Sequence, residues 1–97
     1  MTFSWDPKKA KSNVHKHHVS FTEAMTVFED PYAESRTDVD HSERAILIGY
    51  SMEQRLLIVV HIEYIEDDWI RIVSARKATR SERRRHEKWK RALKREK

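Results

Sequence analysis

Ninety-seven residues leave room for one domain, spanning 1–97, and 38% apolar against 37% charged side chains leave it a thin core. The lack of cysteine excludes disulfides and thiolate zinc sites, and no apolar run approaches the ~20 residues that cross a bilayer. The start Met1-Thr2-Phe3-Ser4-Trp5 has no signal-peptide pattern, so a cytoplasmic protein is expected. Charge is divided along the chain. Residues 76–97 hold twelve Lys/Arg and three Glu, a net of +9, while residues 1–75 hold eight and thirteen, a net of −5. Polyanions are steered to the basic end, and an acidic protein equally well.

Phe3-Ser4-Trp5 reads as a short strand. Asp6-Pro7 then opens a helix to about His18, since Asp caps free amides and Pro suits the first helical position. Ser20 and Glu23 have the spacing of a capping box, in which each side chain satisfies the other's amide. Phe21, Ala24, Met25 and Phe28 give the second helix one apolar face, and Asp30-Pro31 ends it. Tyr32–Thr37 suits a short strand, and Asp38–Ser42 a polar turn.

The period then changes. Arg44–Met52 and Arg55–Ile65 are rich in β-branched and aromatic residues and are parted by Glu53-Gln54, which predicts a hairpin. Leu56-Leu57-Ile58-Val59-Val60 is apolar at consecutive positions, as in a strand buried on both faces. Glu66-Asp67-Asp68 makes the next turn, and Trp69–Ala75 the last strand. Thr79 and Glu82 form a second capping box, opening a basic helix over about 80–96. Its apolar stripe is only His86, Trp89 and Leu93. The expected class is α+β, in the order β-α-α-β-β-β-α: an antiparallel meander packed on two N-terminal helices, with a basic C-terminal helix.

Several stretches are similar to the BrnT toxins. They are Trp5-Asp6; Asn13 with Lys16-His17; Val19-Ser20-Phe21-x-x-Ala24-x-x-Val27-Phe28-x-Asp30-Pro31; Asp40-His41-Ser42-Glu43-Arg44; Val59-Val60-His61; and Arg71–Arg80 followed by Glu82-Arg83. The resemblance covers about residues 3–87. It implies a RelE-like fold, a ribonuclease that arrests translation, and neutralisation by a DNA-binding antitoxin of the BrnA type. Operator DNA would be met only through that antitoxin complex. Lys16 and His17, inside the matched stretches, join the expected RNA contacts. Two positions depart from the family pattern: His18 where Gly is usual, and His86 where Tyr often precedes the Glu.

Metal-free RNA cleavage needs a base for the 2′-OH, an acid for the leaving 5′-oxygen and cations for the phosphorane. Histidine is the side chain suited to acid–base work near neutral pH, which makes His61 a candidate, and Glu63 is its same-face neighbour on a strand. Arg71 and Arg76 are the expected cations, with Arg80 within reach of Arg76. Five residues apart, Arg71 and Arg76 point to opposite faces unless a bulge intervenes. Arg83, Arg84 and Lys88 are the expected phosphate contacts of the last helix. His15-x-His17-His18 lacks a carboxylate or thiolate at ligand spacing, so neither metal nor other cofactor is expected. The rival readings are a non-catalytic nucleic-acid-binding module and a protein-interaction module. Both account for the divided charge.

Overall fold

The computed structural model describes residues 1–95. It opens with strand β1 (Thr2–Ser4) and two helices, α1 (Pro7–His17) and α2 (Phe21–Thr26), the second extended by a 3₁₀ turn, Val27–Glu29. Strands β2 (Glu34–Thr37), β3 (Ala45–Tyr50), β4 (Leu56–Tyr64) and β5 (Trp69–Lys77) follow, and helix α3 (Arg80–Arg95) comes last. Glu96, expected to end that helix, lies outside the described residues.

The α+β class holds, with two changes to the expected order. The short strand expected within Tyr32–Thr37 forms as Glu34–Thr37, which makes four strands after the helices where the expected order counted three. The sheet, ordered β1-β5-β4-β3-β2, is mixed because β1 runs parallel to β5. The reason is connectivity: α1 and α2 carry the chain away from β1, and a parallel edge needs such a crossover.

Capping follows the sequence at two helices and departs from it at one. Asp6 accepts from the Lys8 amide at 2.9 Å. Thr79 and Glu82 close a complete box, with Thr79 N–H donating to Glu82 at 2.8 Å and Glu82 N–H to Thr79 at 3.2 Å. Ser20 accepts from Glu23 N–H at 3.0 Å, but the Glu23 carboxylate does not return the bond. It accepts instead from Ser51 Oγ at 2.7 Å and from Arg55 Nε at 2.9 Å. A charged partner outcompetes the local amide. At the end of α1, His18 takes φ 57°, the left-handed conformation usually left to glycine.

The sheet has two covered faces. On one, Leu47, Leu57, Val59, Ile72 and Ala75 pack against Phe21, Ala24 and Val27 of α2 and its 3₁₀ extension and against Val19 of the turn before it. On the other, Ile48, Leu56 and Ile58 form a smaller cluster with Ile46, Tyr50 and Ala78. Leu56–Val59 is therefore buried on both sides, as its unbroken apolar run predicts. Trp5 is core, edge-on to Phe21 at 5.9 Å.

Asn13 closes a gap in this plan. β1 covers β5 only at Trp69–Arg71, so the ladder groups beyond lack a strand. The Asn13 amide takes their place: Oδ1 accepts from Ala75 N–H at 3.1 Å, and Nδ2 donates to Ala75 O and Val19 O, each at 2.8 Å. A side-chain amide supplies the two donors and one acceptor that this arrangement uses.

A bulge aims the side chains of β5. Val60 pairs with Ser74 but His61 pairs with Ile72, so Val73 is an extra residue. Arg76 lies opposite Ile58 and Arg71 opposite Ile62, positions of β4 that share the α3 face. The two arginines thus point to one side after all.

Candidate active site

Where β5 gives out, a cleft of about 130 Å³ opens between the sheet and α3. β2 contributes Glu34 and Arg36, opposite the inward residues Ile48 and Ile46. β5 contributes Arg76, and α3 contributes Glu82, Arg85 and His86, one turn apart on its inner face.

Arg76 and Glu82 make a two-pronged ion pair, Nη1 to Oε1 and Nη2 to Oε2, each 2.8 Å. That pair, with the Thr79 amide, holds the Glu82 carboxyl down to about 2 and pushes the Arg76 guanidinium up. Arg36 Nε donates to Glu34 Oε2. Arg85 has no ion-pair partner among the described residues. Three guanidinium groups thus face two carboxylates, an excess of positive charge.

His86 is the buried residue of α3, at 1% exposure. Its Nδ1 lies 3.7 Å from Glu34 Oε1, and neither that oxygen nor either ring nitrogen has a hydrogen-bond partner. Unpartnered buried polar atoms cost stability, and three lie together in this cleft, which makes it the candidate site.

α3 is held by side chains beside this cleft. Tyr50 Oη donates to Glu87 at 2.6 Å, which lowers the glutamate, while burial and that glutamate raise the phenol. The His86 ring lies 5.6 Å from Trp89 and 6.1 Å from Tyr50. Lys90 sits over Tyr50 and Tyr32, and Lys94 over Tyr32. Trp89 faces the His86 ring from one turn further along the same helix.

The other expected site residues disperse. Arg71 shares the face of Arg76 but lies four ladder steps away, roughly 13 Å at ~3.3 Å per residue. Arg80 is exposed at the start of α3 and does not line the cleft. Arg83, Arg84 and Lys88 are exposed on α3. Lys16 and His17 line a shallow hollow with Val73 and Ser74, beside the bulge. His61 is on the opposite face, its ring edge-on to Phe28 at 4.9 Å and its Nε2 3.0 Å from Glu63 Oε1. His61 and Glu63 pair as their spacing predicts, but a sheet separates them from Arg76.

Sequence reasoning missed Glu34, Arg36, Arg85 and His86 as one cluster. The alternation Glu34-x-Arg36 put two opposite charges on one strand face, and His86 stood in an apolar stripe. Neither signal says that β2 and α3 meet.

The BrnT family, ribonuclease toxins of type II toxin–antitoxin systems, matches residues 5–82. This chain belongs to that family. It is a ribonuclease toxin of a type II system, and such a system pairs the toxin with an antitoxin. Among solved structures, the ribonuclease toxin BrnT of Brucella abortus has the same fold, with a TM-score of 0.67 at 20% identity over 82% of this chain and 99% of that one. Among curated protein sequences, none matches this chain. Most residues of the α3 cleft lie within the matched stretch, while Arg85 and His86 lie just beyond it. No helix among the described residues is long and apolar enough to cross a membrane.

Proposed function

We propose that this BrnT-family chain cuts RNA endonucleolytically in the cleft under α3, by attack of the 2′-OH on the adjacent phosphorus, without a metal ion. The observation that carries this reading is the His86 imidazole, buried and unpartnered among three guanidinium groups. The 2′-oxygen bonds to phosphorus as the 5′-oxygen leaves; one proton is taken from the 2′-OH and one given to the leaving oxygen. His86 moves protons, and the Glu34 carboxylate, 3.7 Å from Nδ1, favours the protonated ring as it forms. Arg76, Arg36 and Arg85 hold the phosphate and its developing charge. Arg76 uses two of its five N–H donors on Glu82 in the main, so further donors remain for phosphate.

The scissile strand continues past the end of β5 toward α1. Ser74 is two residues from Arg76, so the hollow of Lys16 and His17 takes a neighbouring phosphate. On the other side Arg83, Arg84 and Lys88 take more. Cleavage of messenger RNA in the cytoplasm then arrests translation, and a DNA-binding antitoxin of the BrnA type restrains it, bringing operator DNA into the complex. His61 and Glu63 have no part in this reaction.

Incubating the purified chain with naked RNA, with and without EDTA, tests the proposal. Products should end in 2′,3′-cyclic or 3′-phosphate, and chelation should change nothing. Products ending in 3′-hydroxyl, or activity lost with the chelator, would overturn it.

A further inference from the structure

The pole of the molecule away from α3 carries a second hollow, of about 300 Å³, on the face of the sheet opposite Arg76. Phe28, Leu47 and His61 line it, and Tyr64, Ile65 and Glu63 stand around its mouth. Its size is at the lower end of sites that take an organic group, enough for one bulky side chain. Ile65 is 84% exposed and Tyr64 38%, so apolar surface continues from the hollow onto its lip. His61 is 1% exposed, with Nε2 engaged by Glu63 and Nδ1 buried without a partner.

Charge decides what the hollow takes. No Lys or Arg lines it, in a chain that has 20; the Met1 ammonium does, and it is spent on Asp68 at 3.0 Å. Glu63 is exposed in its lining, and Glu66 and Asp67 are exposed on the adjoining turn, Ile65–Asp67, with no cation paired to them among the described residues. Such a rim repels the phosphates of RNA and attracts a basic peptide. An apolar hollow with an acidic rim suits an apolar anchor flanked by cations.

We propose that this acidic pole is where the antitoxin docks, through a bulky apolar side chain on a segment rich in Lys or Arg. The proposal rests on the family's pairing of toxin with antitoxin, not on the chemistry assigned to the α3 cleft. It gives the two poles different tasks: the basic one meets RNA, and the acidic one meets the protein partner.

The test titrates the full chain with its cognate antitoxin by calorimetry, using Ile65→Asp and the double variant Glu66→Lys/Asp67→Lys. Both sites are exposed, and thermal melts confirm that each variant is folded. Each should weaken the antitoxin by about tenfold or more, and the effect of the double variant should shrink at high salt. RNA cleavage by the free variants should match the parent. Arg84→Glu on α3 should leave antitoxin affinity unchanged. Full affinity in both pole variants overturns the proposal, as does a loss confined to Arg84→Glu. So does self-association of the free chain that Ile65→Asp abolishes, which would make a second copy the occupant. Resonances of Phe28 and His61 moved by an RNA oligonucleotide instead of by the antitoxin would also overturn it. A chain that cuts no RNA yet binds antitoxin at this pole leaves the docking site standing and removes only the nuclease reading.

Discussion

Replacing Arg76 separates catalysis from stability most sharply. The pair it makes with Glu82 holds that carboxyl at about 2, down from 4.5. At ~1.4 kcal/mol for each tenfold change in proton affinity, the ceiling on the interaction is roughly 3 kcal/mol. The Thr79 bonds to Glu82 contribute part of this and survive the substitution, and Arg76 is 42% exposed to screening water. The expected loss for Arg76→Ala is therefore about 1 kcal/mol. In a domain of this size that lowers Tm by roughly 4–8 °C. Loss of one transition-state donor costs more, on the order of 10²–10³ in rate. Arg76→Lys keeps the charge but not the two-pronged geometry, so most of the stability should return and most of the rate should not. Cleavage of a fluorogenic oligonucleotide and a thermal melt, read on one preparation, give both numbers. An Arg76→Ala chain that cuts at the parent rate per folded molecule would show that Arg76 only staples α3 to the sheet.

Three further substitutions test the remaining parts. His86→Gln fills similar space but moves no proton; kcat should fall about 10²-fold or more with KM little altered, and retained kcat would remove His86 from the chemistry. Glu82→Gln probes the acid side of stability. The folded carboxyl lies below its unfolded value of about 4.5, so its contribution is complete above that pH and lost as pH falls through about 2. Urea melts of parent and variant should differ most near neutrality and converge near pH 2; a constant gap would mean the ion pair is not the cause. Asn13→Ala removes three buried hydrogen bonds and should cost about 3 kcal/mol, seen as a lower urea midpoint. A loss below about 1 kcal/mol would mean that the β5 edge finds other partners.

Local rules were enough for much of this protein. Asp6-Pro7 and the Thr79–Glu82 box start their helices because an amide and its capping group lie within four residues, where few alternatives compete. The unbroken run Leu56–Val60 announced a central strand, because side chains alternate and both faces must then be apolar. The divided charge announced two poles, since charge sums without regard to fold. Three things depended on contacts between distant segments. The carboxylate of Glu23 turned from its own helix to Arg55, because a cation 32 residues away binds it more strongly than the nearby amide. The extra residue Val73 set Arg71 and Arg76 on one face and left His61 on the other, and a bulge is a matter of register between two strands. His86, Glu34 and Arg36 became one cluster only when α3 folded over the edge of β2. Their separation of about 50 residues along the chain carries no periodic signal, so the cleft exists only in the packed molecule.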